Sequence, residues 1–331
     1  MAQFGIRYDF RCPPICPVGP ADLYEAALEQ CAWADSLGFE RVTLSEHHGS
    51  DDGYLPSLVA LGSAIAARTS SMLIRLAAVI APLHNPLRLA EDLSVLDHLS
   101  RGRLEVVLAN GYVPSEFEMF DVKMSDRVKL VTEAIETLKQ AWTGQPFEFR
   151  GRTVSVTPAP YRQPRPPIIL GGASEGAARR AAHIADEFMP TMPQFWDFYR
   201  DELRKLGQAD PGEMPPLSGM YIHITNDVEE VWEQVAPFAL HEMNAYGVWA
   251  AESGSETGYQ PIDDPAMLFS FGQHKILTPP EAVELISGMP EDGVVMFHPL
   301  MGGLDPKLAW ENLRAFEKEV LPSLSQSQSQ G

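Results

Sequence analysis

Three titratable side chains stand in a row at Glu46-His47-His48, between Ser45 and Gly49 and directly after the apolar triplet Val42-Thr43-Leu44. If that triplet is a buried strand, the row lies where the chain leaves it. Adjacent side chains of an extended segment point to opposite sides, so only one of the two histidines is expected to face a given small ligand. His47 is taken as that residue, serving as acid or base or as a hydrogen-bond donor to a reacting group. The competing reading is a histidine satisfied by backbone partners. A metal site would want ligands spaced H-x-H on a strand or H-E-x-x-H on a helix, and neither pattern occurs, so no metal is expected. The other seven of the nine histidines are scattered, and most of them read as packing or surface residues.

Three further segments could meet a ligand. Ala77-Ala78-Val79-Ile80-Ala81-Pro82 offers a wall of small side chains before a proline turn, which lets a flat ring approach the backbone, although small residues also pack barrel interiors. Ala109-Asn110-Gly111-Tyr112 joins an amide to a flexible turn and leads into a loop over residues 113–120. In Gly171-Gly172-Ala173-Ser174 a strand passes through paired glycines into a helix. The N–H groups of a helix start, with a serine hydroxyl beside them, favour a phosphate oxygen. Ser174 as a plain N-cap explains the same residues equally well.

The elements that position these residues follow from hydrophobic spacing. A strand at Phe4 to Phe10 ends at the proline-rich run from Cys12 to Pro17, because proline removes ladder donors. Leu23, Ala26, Ala27, Cys31, Ala34 and Leu37 recur at helical spacing, with Asp22 as N-cap and Gly38 as terminator. The alternation continues with a helix over 55–68, a strand over 73–80, a helix over 86–99, a strand over 104–109 and a long helix ending near Gly144. Residues 147–156 read as an accessory hairpin turning at Arg150-Gly151. Further strands are expected at 167–170, 187–189, 220–225 and 294–297. Strands apolar on both faces and separated by amphipathic helices demand a parallel sheet, and about eight such units in about 250 residues fit a (β/α)8 TIM barrel of the α/β class. A doubly wound sheet is the alternative, weakened because no G-x-G-x-x-G turn follows the first strand. The Gly/Ser/Asp-rich stretch over 239–276, with Trp249, Tyr259, Phe269 and Phe271, reads as a late insertion forming a lid or as an ordinary surface excursion. One domain over 1–324 and a disordered low-complexity tail over 325–331 are expected.

Composition narrows the function classes. The 331 residues carry 25 Lys+Arg against 45 Asp+Glu, a formal charge of −20, which repels nucleic acid and anionic membranes. Hydrophobic content of 45% with 21% charged residues belongs to a folded chain. Three cysteines, all within the first 31 residues, cannot staple a fold of this size and point to a reducing cytoplasm. The first residues lack the pattern of a secretory signal, and no apolar run reaches membrane-spanning length, so neither export nor insertion is expected.

Taken in order, the segments resemble the luciferase-like flavin-dependent oxidoreductase family over nearly the whole chain. The resemblance runs through Gly38-Phe39-Glu40, Ser45-Glu46-His47-His48, Ala77 to Pro86 and Leu96-Asp97-His98-Leu99-Ser100-Arg101-Gly102-Arg103-Leu104. It continues through Glu116-Phe117-Glu118-Met119-Phe120, Gly171-Gly172-Ala173-Ser174 and Glu319-Val320-Leu321-Pro322. It implies a barrel with flavin at the C-terminal ends of the strands. On this resemblance His47 matches the family's catalytic histidine, Ala77-Ala78 the place of a non-proline cis peptide against the flavin ring, and Gly172, Ala173 and Ser174 the phosphate-binding turn, with Gly171 leading into it.

The implied chemistry is monooxygenation with reduced FMN and O2 through a hydroperoxide at flavin C4a, acting on a small organic substrate. Met192, Trp196, Trp249 and Phe271 are candidates to line its entry, and core or lid packing explains these four equally well. A separate NAD(P)H:flavin reductase and a homodimer are implied as well. One departure stands out: Asn110 occupies the place where FMN enzymes of this type often carry an arginine to the phosphate. That leaves room for hydride transfer with the deazaflavin F420, used by another branch. A non-catalytic ligand-binding barrel and a metal-dependent hydrolase on the same fold are the remaining alternatives.

Overall fold

The structure is a computed structural model and describes residues 2–254 and 260–328. In chain order its elements are β1 (Gln3–Tyr8), α1 (Pro20–Ser36), β2 (Arg41–Leu44), α2 (Leu58–Arg68), β3 (Leu73–Ile80), α3 (Pro86–Ser100), β4 (Leu104–Ala109), α4 (Pro114–Met119) and α5 (Arg127–Ala141). There follow β5 (Phe147–Phe149), β6 (Arg152–Val154), β7 (Ile168–Gly172), α6 (Glu175–Ile184), β8 (Glu187–Pro190), α7 (Gln194–Lys205), β9 (Tyr221–Ile224) and α8 (Val228–Ser253). The chain closes with α9 (Pro265–Ser270), β10 (His274–Leu277), α10 (Pro279–Ser287), β11 (Val294–Phe297), α11 (Pro306–Ala315) and α12 (Leu321–Gln328).

Backbone contacts divide the chain into two compact units, and β2 carries the chain from one to the other. In the unit holding residues 43–49 and 56–214, β3 pairs with β4, β4 with β7 and β7 with β8, every pair parallel. These strands are apolar on both faces, as parallel strands between helices must be, and Leu104, Val106, Leu108, Ile168 and Leu170 are all buried. Leu61 and Ile65 of α2, Leu93 and Leu96 of α3 and Ile135 and Leu138 of α5 are the buried faces of its helices. The expected hairpin is present as β5 and β6, antiparallel, with Arg150 and Gly151 both at positive φ (48° and 75°) as a two-residue turn requires. In the unit holding residues 1–42, 50–55 and 215–331, β1 pairs with β11 and β9 with β10, again parallel. Its core gathers Tyr221, Val235, Ala239, Leu268, Ile276, Met301 and Leu304.

Several boundaries differ from the sequence reading for local reasons. Helix α1 begins at Pro20, capped from Gly19, and Asp22 works from inside the first turn by accepting from Gly19 N at 2.9 Å. Helix α2 starts at Leu58 after the non-helical N-cap Ser57, and Pro56 disfavours the helical region for Leu55. Residues 114–119, read as loop, form α4, a single turn and a half that is too short to show periodicity. The stretch from 239 opens inside a helix and not in a loop: α8 runs from Val228 through Pro237 to Ser253 and ends on Gly254 in the left-handed region. The strand β10 within that stretch was not foreseen. Tyr259 lies outside the described residues. At the C-terminus α12 continues through Gln328, four residues into the segment expected to be a disordered tail, with buried Leu324 as its anchor; residues 329–331 lie outside the described ones. Among the described residues no helix is long and apolar enough to cross a membrane.

Candidate active site

The residues singled out by sequence fall at the C-terminal ends of successive strands. His47 and His48 follow β2, and each ring is held by a different carboxylate. Glu116 Oε1 is 2.7 Å from His47 Nδ1 and also accepts from His48 N at 2.9 Å. The partner was hidden in the sequence, because only the turn of α4, started by Pro114, brings Glu116 round to the histidine pair. His47 is 7% exposed and Glu116 1%, so the pair works largely out of water. Tyr112 packs edge-on against the His47 ring at 5.8 Å between centroids.

The His48 ring meets Glu46, whose Oε1 lies 2.6 Å from His48 Nε2 and 2.8 Å from His84 Nε2. The other oxygen, Oε2, accepts from Ile80 N at 3.2 Å. Burial by itself raises the pKa of the Glu46 carboxyl, but the hydrogen bonds from His48 and His84 outweigh it and bring the group down to about 2. Burial lowers the basicity of His84, and here too the bond to Glu46 wins, leaving it above its ordinary value. Reading His84 as scattered packing is therefore corrected: it belongs to a three-residue cluster at the site's edge. The carboxylate ties the exit of β2 to Ile80 at the end of β3, the strand in which the Ala77-Ala78 peptide is cis and the pairing register with β4 slips between Ala77 and Val79.

The segments read as a phosphate site are brought to one level. Leu108 pairs with Leu170, so Asn110 and Gly172 leave neighbouring strands side by side. Asn110 Oδ1 is buried without a protein hydrogen-bond donor, which suits a ligand hydroxyl or amide N–H. Ser174 is the N-cap of α6, its hydroxyl accepting from Ala177 N at 3.2 Å. A Cβ on Gly172 would stand 2.5 Å from that of Ala177, so packing by itself demands this glycine. Gly171 lies against Val107 and Ala109, and Ala173 completes the turn. Uncharged donors at a helix start can meet a phosphate, and the unpaired buried oxygen of Asn110 beside them can take a ribityl hydroxyl, so the residues fit a phosphate-bearing flavin, with no arginine among those carried over to it.

The other unit holds a charged cluster after β1 that sequence reading missed. Arg11 is fully buried, and its guanidinium carbon sits 4.7 Å from the ring centres of Tyr54 and Trp249 and 4.9 Å from that of Tyr246. Arg11 Nη1 donates to Asp52 Oδ2, which also lies 2.7 Å from His241 Nε2. Burial opposes the charge on Arg11, but Tyr246, Asp9 and Asp52 hold it well above its ordinary range. Trp249 is thus placed on an arginine. Of the other candidates for lining the substrate entry, Trp196 packs on Tyr199 and donates to Gly212 O at 2.9 Å, Met192 Sδ lies 3.6 Å from Gln194 Nε2, and Phe271 is exposed.

Residues 15–270 match the model of the luciferase-like monooxygenase family. Among curated relatives, the oxygenase component of a flavin-dependent trigonelline monooxygenase from Acinetobacter baylyi is 24% identical, over 69% of this chain and 66% of that one. An FMNH2-dependent dimethylsulfone monooxygenase from Pseudomonas putida is 26% identical over 46% and 45%. The chain spans about half the length of the first curated relatives it matches. Among solved structures, the monooxygenase RslO1 from Streptomyces bottropensis aligns with a TM-score of 0.78 at 24% identity, over 97% of this chain and 99% of that one. The oxygenating constituent of 3,6-diketocamphane monooxygenase from Pseudomonas putida, in complex with FMN, gives 0.72 at 17%, over 98% and 99%. An F420-dependent secondary alcohol dehydrogenase gives 0.68 at 16%, over 98% and 99%. At these identities the structural matches establish the fold, the α/β barrel type expected from the sequence.

Proposed function

The chain belongs to the luciferase-like monooxygenase family, and on that premise we propose that it is an FMN-dependent monooxygenase that oxidises a small organic substrate with O2. In this reading a separate NAD(P)H:flavin reductase delivers the reduced flavin. The observation that carries the proposal is the buried His47–Glu116 pair at the end of β2. Reduced FMN would supply the electrons for O2 when bound, and this chain's residues do the rest. Glu116, as an acceptor, fixes the proton of His47 on Nδ1, so that Nε2 is the ring atom at which a proton is exchanged with the reacting group. Glu46 holds the backbone after Ala77-Ala78 in place by its bond from Ile80 N. The turn Gly171-Gly172-Ala173-Ser174 would hold the phosphate, with Asn110 beside it taking a ribityl hydroxyl. Burial of the pair keeps bulk water from competing for the proton.

The test is stopped-flow mixing of the protein and reduced FMN with aerated buffer. Acid–base catalysis of this kind contributes about 10²- to 10⁴-fold, so His47→Ala should lower turnover by at least about 100-fold and change the lifetime of the oxygenated species. Equal lifetimes and turnover in the two proteins would remove His47 from the mechanism. A second reading, hydride transfer with F420, is favoured by one observation, the uncharged Asn110 where an arginine to the FMN phosphate is expected. Anaerobic titration with FMN and with F420 separates the two, since tight F420 binding without flavin affinity overturns the first. The proposal includes a cytoplasmic homodimer; a monomer mass by light scattering at working concentration would remove the dimer from it.

A further inference from the structure

Neither the family reading nor the flavin chemistry uses the imidazoles of His48 and His84. Both direct Nε2 at the same oxygen, Glu46 Oε1, at 2.6 and 2.8 Å, and the three ligand-capable atoms lie within 4.8 Å of one another. The sequence offers no ligand spacing of the usual kind, because Glu46 and His48 sit two apart beyond β2 while His84 arrives from the short 3-10 turn after β3, over Ala81–Leu83.

We propose that Glu46, His48 and His84 form a binding site for one divalent transition-metal ion of the zinc class, with its remaining coordination positions open to the adjoining cavity. Two imidazole nitrogens and one carboxylate oxygen are a donor set that zinc, cobalt and nickel accept and that magnesium and calcium, which prefer oxygen alone, do not. Zinc with ligands at about 2.0–2.2 Å in a tetrahedral arrangement needs them about 3.3–3.6 Å apart, so each ring nitrogen must move about 0.5–1 Å away from Glu46 Oε1. His84, whose side chain is 31% exposed, can give that movement on its side, while the buried His48–Glu46 pair must open by a small side-chain rotation as the ion enters.

The surroundings fit a held ion. Glu46 Oε2 is oriented by Ile80 N, and the backbone of His48 is anchored on Glu116, which supplies the outer support that metal ligands need. A cavity of about 200 Å³ opens beside Glu46 and His84 and is lined also by Ser57, Asn85 and Asp92, enough for water ligands on the open side. Arg88 on its wall is ion-paired with Asp92 and Glu91.

The site is independent of the flavin proposal and is tested by binding alone. Tag-free protein without flavin is titrated with zinc(II) by calorimetry, and with cobalt(II) by absorption. One ion per chain is expected, with cobalt bands of a four- or five-coordinate ion and no competition from magnesium. His84→Gln keeps an N–H donor for Glu46 but removes the imidazole, and should weaken zinc by about 100-fold or more. Nitrogen NMR of the histidine rings in the unmutated protein gives a second readout, in which His48 and His84 should move on zinc addition while exposed His98 and His183 stay. Zinc binding equal in wild type and His84→Gln, a fully aquated cobalt spectrum, or ring shifts confined to His98 and His183 would each overturn the proposal.

Discussion

Substituting Glu116 separates a positioned histidine from a merely buried one. Its single oxygen Oε1 takes both His47 Nδ1–H and His48 N–H, at 2.7 and 2.9 Å. A hydrogen bond to a charged acceptor contributes about 1.5–3 kcal/mol and a neutral one about 0.5–1.5, so Glu116→Gln, which keeps shape and one acceptor, weakens the hold on His47 by about 1–1.5 kcal/mol. At about 1.4 kcal/mol per tenfold, that is a five- to fifteen-fold loss in any step where His47 moves a proton. Glu116→Ala instead strands two buried donors at about 1–3 kcal/mol each. Part of that loss appears as lower stability, and the His47 share appears as a further drop in rate of about tenfold or more. The assay is single-turnover stopped-flow with reduced FMN across pH, with urea unfolding of the same proteins to measure the stability share. A folded Glu116→Ala protein with the wild-type rate and pH profile would refute the orienting role, because the carboxylate on His47 Nδ1 would then be gone with no effect on the step.

Arg11→Met should destabilise the protein by about 3–5 kcal/mol, read as a lower urea midpoint, because it leaves Asp9 and Asp52 without their buried cation and removes the guanidinium from between Tyr54, Tyr246 and Trp249. Gly172→Ala should cost about 1–3 kcal/mol, since the new Cβ would meet that of Ala177 at 2.5 Å and push α6 away from β7; the measurement is again urea unfolding, and an unchanged midpoint would mean the helix shifts freely. The pKa of Glu46 is lowered from an ordinary 4.5 to about 2, so its contribution is fully present above pH 4.5 and is lost as pH falls towards 2, a swing of about 3 kcal/mol. Glu46→Gln should therefore flatten the acid limb of stability against pH between those values, and an unaltered limb would place the acid sensitivity elsewhere.

How much of this could be read from residues depended on the range of the forces involved. Strands β3, β4 and β7 were legible because burial on both faces leaves a continuous apolar run, and the hairpin because Arg150-Gly151 must sit at positive φ between two short alternating segments. Helix α4 was not, since six residues give no period, and with it went Glu116; Pro114 at the first turn with a glutamate two residues on was the signal available. Strand β10 was hidden because His274-Lys275-Ile276-Leu277 pairs only with β9, a partner more than fifty residues earlier. Glu46 was noticed for its neighbours and misjudged in its role, because a carboxylate serving His48, His84 and Ile80 N is a meeting of two loops that no local spacing encodes. The cis Ala77-Ala78 peptide came from family resemblance, and no property of two alanines announces it.

The charge of −20 bears on the cofactor through Asn110. A phosphate dianion entering so acidic a protein needs local positive character, and the turn at Ser174 offers helix-end N–H groups, one of them already taken by the serine hydroxyl. The paired glycines are weaker support than they look in sequence, because Gly172 is required by Ala177 whether or not a ligand comes near. The phosphate reading therefore rests on Asn110 standing level with that turn. If it is right, Asn110→Arg restores a charge-assisted bond of about 1.5–3 kcal/mol, and with partial screening FMN should bind about tenfold tighter, the gain shrinking as salt rises. Riboflavin, which has the same ring and no phosphate, should not gain. Fluorescence titration of both ligands decides it: an equal change for FMN and riboflavin would show that position 110 meets another part of the cofactor, and that the phosphate is held by other groups.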